Sequence, residues 1–437
     1  MDSKNSPFDR GVFVLIAIFY KWNKLHQRKE YPMITGCWKK GCLWTGGIAV
    51  VLILAGAGIV FLWLRLFDSA NARESRACGF KGEQVAGTMG DQQEFMNILK
   101  QYSATHNNVG MQAAVILPDS NWWTGAAGYA EIEKKCPLTI EHGLYIGSIT
   151  KLYTATLIMQ QVEKGTLKLD DPISNWIDLP YADQVTVKML LNHTSGIPDY
   201  VDAGLLQRQL ISMNKVWRPD ELLNRVRRKP LLFTPGESHQ YSSTNYLLLG
   251  FILEEVTGKS YNELVQAEIV RPLELNLVLY KPILPPDVPA ANGYDIDMLV
   301  AMGLQDLTSA RRSLTSGDAS AGGLLTSAID TARFTHALFQ GRLVGEPGLQ
   351  EMMQVVDTTH LHGVDALPEQ FGYGLGMRAW QVDGEKLYGH TGHLFGYSSV
   401  TMHNPEKGYT ITVLSNLSII DQAQMIRQFQ EVLLNEE

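Results

Sequence analysis

Ser148 and Lys151 stand three residues apart in LYIGSITKLYTATLIMQQVEKG, residues 144–165, where an apolar-periodic run begins. Leu152, Ala155, Met159 and Val162 recur near the helical period, and Gly165 supplies a stop. The spacing therefore predicts a hydroxyl and an amine on one face of a first helical turn. A serine hydroxyl attacks a carbonyl only once its proton is taken. Lysine can take it where burial or a nearby cation holds the amine neutral. The helix start also aims backbone N–H groups at a developing oxyanion. Taken alone, S-x-x-K is better read as a capping serine beside a solvated lysine. Two further stretches bear on the choice. Tyr241 precedes the apolar helix pattern SSTNYLLLGFILEEVTG, and His390, Thr391 and Gly392 fall in YGHTGHLFGY, on a strand where glycine permits close backbone approach. Singly, Tyr241 also reads as a core aromatic and His390 as a strand residue with a structural hydrogen bond.

Helices and strands must bring these groups together. DQQEFMNILKQYSATH has helical spacing at Phe95, Ile98, Leu99 and Tyr102. MQAAVIL (111–117) and WWTGAAGYA (122–130) read as strands, joined by the hairpin signal PDSN. Residues 170–290 are rich in helices, proline turns and loops. Residues 387–416 read as strands with a turn at NPEKG, and DQAQMIRQFQEVLL closes the chain as a helix. Strands near both ends with helices between them predict an α+β (mixed α/β) fold. One sheet is completed by distant segments, and a helical lobe is inserted.

Composition narrows the classes of function. Hydrophobic residues make up 45% of the 437 and charged residues 19%, as expected of a folded chain. Residues 1–76 hold 11 Lys/Arg against 5 Asp/Glu, whereas the remainder holds 26 against 40. An acidic main body argues against a nucleic-acid surface. LWTGGIAVVLILAGAGIVFLWL, residues 43–64, is an uncharged run long enough to cross a bilayer, which takes about 20 residues. Trp44 and Trp63 stand at its ends, and six Lys/Arg from Lys21 to Lys40 precede it against Glu30 alone. The expected organisation is a cytoplasmic basic segment (1–42), one transmembrane anchor (43–67), a tether (68–90) and an extracytoplasmic domain (91–437). The competing reading is a cleaved signal peptide ending at ANA, residues 70–72, but the apolar run is long for a signal core. Cys78 and Cys136 fall outside and could pair in an oxidising compartment.

The order and spacing of S-x-x-K, Y-S-x and H-T-G resemble the serine β-lactamase and D-Ala-D-Ala peptidase superfamily. The closest likeness is to its branch of class C β-lactamases, D-alanyl-D-alanine carboxypeptidases and related esterases. LKLDDPISNWI, VTVKMLLNHTSGIPDY, SAGGLLTSAIDTARF and FGYGLGM extend the resemblance over residues 90–434. It implies a β-lactamase/transpeptidase-like fold, an antiparallel sheet flanked by helices. Ser148 would be the acylated nucleophile, Lys151 its proton acceptor or relay, and Tyr241 the partner base and the acid for the leaving group. His390 would orient the hydroxyl network and, if protonated, favour a substrate carboxylate. The backbone N–H groups of Ser148 and His393 would form the oxyanion hole, with Ser243, Thr391 and Gly392 at the substrate. Two residues depart from the pattern. Ser243 stands where asparagine often holds an acyl-amide carbonyl, and His393 is bulkier than the small residue often found there.

The resemblance implies no cofactor. No G-x-S-x-G elbow or H-E-x-x-H pattern is present, His193 in NHTSG reads as structural, and His360 and His362 read as solvated. The expected substrates are peptidoglycan-type D-Ala-D-Ala peptides, β-lactams or small esters, and the lipid bilayer is the expected partner of the N-terminal helix. His390 in place of lysine tilts the reading toward a carboxypeptidase or esterase and away from a class C-type β-lactamase. Outside enzymes, the rival is a penicillin-binding sensor or scaffold that does not turn over.

Overall fold

The segments MQAAVI and WWTGAA pair across their tight turn, and distant parts of the chain build outward from them. The computed structural model describes Ser69, Ala70 and residues 75–79, 82–89, 92–296, 304–359 and 367–435. The expected anchor (43–67), the basic segment before it and His360 and His362 lie outside the described residues. Among the described residues, no helix is long and apolar enough to cross a membrane.

Nine strands form one antiparallel sheet: β1 (Val85–Gly87), β2 (Met111–Ile116), β3 (Trp122–Ala127), β4 (Val356–Asp357), β5 (Gln370–Tyr373), β6 (Arg378–Val382), β7 (Glu385–Leu394), β8 (Tyr397–His403) and β9 (Thr410–Ser415). Their spatial order is β1-β3-β2-β9-β8-β7-β6-β5-β4. The C-terminal strand β9 thus lies beside β2, with Val413 opposite Ala113. Six helices matter for the site: α1 (Gln93–Thr105), α2 (Thr150–Glu163), α3 (Ser243–Thr257), α4 (Arg311–Gly322), α5 (Ala328–Phe339) and α6 (Gln422–Asn435).

The two terminal helices, α1 and α6, cover one face. There Phe95 stacks on Phe429 at 5.2 Å, with Trp123 tilted beside it at 5.1 Å. Each of these rings is fully buried, and burying a large apolar side chain stabilises by roughly 1.5–3 kcal/mol. Helix α5 packs on the opposite face, where Thr335, Thr401 and Thr412 join their hydroxyls beneath it.

Helix α2 departs from its expected single apolar stripe. Every residue from Thr150 to Gln161 is buried, so it is a central helix enclosed on all sides. Several of its polar side chains bond within the protein. Thr154 donates to Ser320 O at 2.7 Å, Thr156 to Leu152 O at 2.8 Å, and Gln160 to Leu343 O at 3.0 Å. A helix so enclosed is a rigid support for what stands at its start.

Cys78 and Cys136 form a disulfide with their Cα atoms 5.5 Å apart, fastening residues 75–79 to the domain. Ser75 adds hydrogen bonds to Glu131 and Asn292, both at 2.8 Å.

Candidate active site

Ser148 sits in a single 3-10 turn, Gly147–Ile149, that runs directly into α2. Lys151, one turn on, is 1% exposed, and its Nζ donates to Ser148 Oγ at 3.0 Å and to Ala321 O at 2.7 Å. Among the described residues, no carboxylate forms an ion pair with it. The same Nζ lies 4.9 Å from the centre of the Tyr241 ring and 5.6 Å from that of Tyr246. Tyr241 enters from the loop just before α3, and its buried hydroxyl has no hydrogen-bond partner among the described residues. Serine, lysine and tyrosine therefore converge from two helix starts.

The opposite wall is β7. It pairs with β6 only from Glu385 to Gly389, so His390–Leu394 have no strand neighbour on that edge. The backbone of Ile146 and Gly147 presses against this segment. A Cβ added to Gly392 would lie 1.9 Å from Ile146 O, and one on Gly147 would lie 2.7 Å from His393 N. Only glycine fits either position, and Gly147 also adopts a left-handed backbone, φ 49°. Gly147, the neighbour of Ser148, thereby stands against the backbone of His393. Thr391 is buried, and the Ser243 N–H donates to Asp199 Oδ2 at 3.1 Å.

A family model described as beta-lactamase matches residues 95–429. The chain belongs to the beta-lactamase family, a family of serine hydrolases. Penicillin-binding protein 4* of Bacillus subtilis is 27% identical over 298 residues, covering 66% of this chain and 64% of that protein. The alignment thus spans a little under two thirds of that relative's length. A D-amino acid amidase from Ochrobactrum anthropi, solved with L-phenylalanine, superposes with a TM-score of 0.70 at 26% identity, covering 79% of this chain and 99% of that one. The octameric penicillin-binding protein homologue from Pyrococcus abyssi gives 0.67 at 29% identity, with 79% and 78% covered.

Within this beta-lactamase family domain, His390 is not the charged group that the resemblance allowed. It is fully buried, and its Nδ1 donates to Thr391 O, which leaves Nε2 to accept from the Tyr373 hydroxyl at 2.9 Å. Both ring positions are spoken for by the neutral form. Burial pushes its pKa well below the usual histidine range, and the cations Arg378 and Lys151 push the same way. The ring also stands 6.3 Å from that of Tyr241, so it orients Tyr373 directly.

The cation at this end is Arg378, which motif reading missed. It is 8% exposed, and its Cζ lies 5.0 Å from the Tyr241 ring centre and 5.9 Å from that of Tyr373, its cross-strand partner. One of its nitrogens donates to Gln370 Oε1, its buried Nε has no partner, and no ion pair forms with it among the described residues. FGYGLGM ends one residue before it, so the signal was an arginine adjoining a family block. Tyr373 lies inside that block.

Asp318, on α4, also faces the site. Burial raises its carboxyl to about 7, with Lys151 lowering it and Asp199 raising it. A cavity of about 330 Å³, lined in part by Trp122, Arg333 and Arg342, lies apart from these residues. The convergence of nucleophile, amine and phenol marks this site.

Proposed function

We propose that this protein is a membrane-anchored serine hydrolase that acts through an acyl-enzyme on D-Ala-D-Ala-type peptides or related amides and esters, as a carboxypeptidase-like enzyme. Ser148 Oγ attacks the substrate carbonyl while its proton passes into the Lys151–Tyr241 pair. The oxyanion forms against the N–H groups of Ser148 and His393. Tyr241 returns the proton to the departing amine, and water then attacks the acyl-serine. Ser243 meets the acyl side, and Thr391 meets the leaving-group side.

Arg378 carries the choice of a carboxylate-bearing substrate. A buried guanidinium with no anionic partner is costly, and a ligand carboxylate would complete it. Its position beside Tyr241 suits a leaving group whose amine takes the tyrosine proton and whose carboxylate meets the arginine. The unpaired edge of β7 suits an extended peptide. The test is to incubate the full chain, in detergent, with a fluorescent penicillin, a D-Ala-D-Ala peptide and a short p-nitrophenyl ester. Release of D-alanine with multiple turnovers supports the reading. Labelling by penicillin with no turnover of any substrate would favour a sensor or scaffold, and rapid penicillin hydrolysis alone would favour a class C-type β-lactamase.

Residues 43–67 form the proposed single-pass anchor, with the basic N-terminal segment cytoplasmic and the catalytic domain outside. The Cys78–Cys136 disulfide supports an oxidising compartment. Protease added to intact spheroplasts should digest the domain and spare an N-terminal tag. A soluble product beginning near Arg73 would show cleavage after ANA instead.

A further inference from the structure

We infer that His193 is the positioning residue for Tyr241, an inference that rests on the reading of Tyr241 as the proton-transfer group. The Tyr241 hydroxyl has no hydrogen-bond partner among the described residues, so its ring packing and the backbone on either side locate it. Both flanking residues are held by His193. Gln240 N donates to His193 O at 3.0 Å, and Ser242 N donates to His193 Nδ1 at 3.2 Å. The imidazole itself packs on the Tyr241 ring, with centroids 4.3 Å apart. One side chain and its own carbonyl thus grip the tyrosine before, behind and across its face.

The clamp is itself fixed. Asn245, in the first turn of α3, donates from Nδ2 to the same Nδ1 at 3.1 Å and accepts from Ser195 Oγ at 2.7 Å. Two donors on Nδ1 place the ring proton on Nε2, so the clamp requires a neutral imidazole. Full burial supplies that condition, and the nearby Arg378 guanidinium disfavours a further positive charge. His193 also holds a left-handed backbone, φ 61°, uncommon for any residue but glycine. Such a conformation at a residue bonded to both neighbours of Tyr241 is what a functional constraint on the loop looks like.

A double-mutant cycle on the full chain tests this, with the fluorophosphonate acylation rate as readout and thermal melting as the folding check. His193→Ala should slow acylation by about a hundredfold, the usual scale for loss of a positioned acid or base. His193→Asn keeps a short acceptor and tolerates the left-handed backbone, so it should recover at least about tenfold of that loss. In a Tyr241→Phe background, His193→Ala should add less than about threefold, because the group it positions is already gone. The same large factor in both backgrounds would overturn the inference, as would a wild-type rate in His193→Ala. If the alanine variant fails to fold, His193→Gln, which displaces the acceptor, must show the same dependence on Tyr241. A wild-type rate in Tyr241→Phe itself would refute the catalytic reading beneath the inference.

Discussion

Two buried basic side chains, Lys151 and Arg378, lie 4.9 and 5.0 Å from the centre of the Tyr241 ring, and they are built in opposite ways. Lys151 belongs to the helical half of the site, where one turn of α2 places it 3.0 Å from Ser148 with no tertiary contact required. Arg378 belongs to the strand half, where β5, β6 and β7 must register before it meets Tyr373 and lies near His390 and Tyr241. Lys151 is satisfied by protein oxygens, whereas Arg378 keeps a buried nitrogen unpaired. Under the proposed function the difference is a division of labour: the satisfied amine serves the nucleophile, and the unsatisfied guanidinium meets the substrate's anion.

The comparison can be broken first at the helical half. Ser148→Ala should abolish covalent labelling by a fluorophosphonate while leaving the melting temperature within a few degrees of wild type. Lys151→Arg keeps the charge but removes a group able to act as a neutral base, arginine's pKa being above about 12. Acylation should fall by roughly a hundredfold or more, and wild-type-like rates in stopped-flow labelling would refute the base role.

The strand half makes a different prediction for pH. His390 is neutral across the working range, because burial, Arg378 and Lys151 all hold its pKa well below 6.5. The ratio of kcat/KM for carboxylate-terminated and amide-capped peptides should therefore stay flat from pH 5.5 to about 8. A tenfold fall through pH 6.5 would restore a charged role for His390.

The smallest expected effect concerns Asp318. Its folded pKa, about 7, lies above the ordinary aspartate value of 3.8. The stability linked to its bound proton is full below that ordinary value and is lost as pH rises through 7. Asp318→Asn should thus melt at nearly the wild-type temperature near pH 4 and progressively above it toward pH 8. Melting curves that stay parallel across that range would mean the carboxyl ionises normally.

The same division governs what could be read in the sequence. Ser148 and Lys151 were legible as a pair on one helical turn, but their roles and that of Tyr241 came only from the resemblance of S-x-x-K, Y-S-x and H-T-G taken in order, and the hairpin of β2 and β3 was legible from its alternation and turn. The enclosure of α2 was not, since its periodic stripe understated how many neighbours surround it. His390 was legible as a site residue but not in its charge, which depends on burial and on Tyr373 seventeen residues earlier. Arg378 was missed because a lone arginine on a short strand has no local signature; only the pairing of Tyr373 with Arg378 across β5 and β6 gives it meaning.

The central claim is that the helical half acylates while the strand half recognises a carboxylate. Steady-state kinetics of wild type and Arg378→Gln, on D-Ala-D-Ala peptides with free and amidated C-termini, test it most directly. The account predicts that Arg378→Gln lowers kcat/KM for the free acid by roughly thirtyfold or more, the scale of about 2 kcal/mol for a buried charged contact. It predicts little change for the amide, and fluorophosphonate labelling of Ser148 close to wild type. An equal loss on both peptides, or none on either, would contradict it.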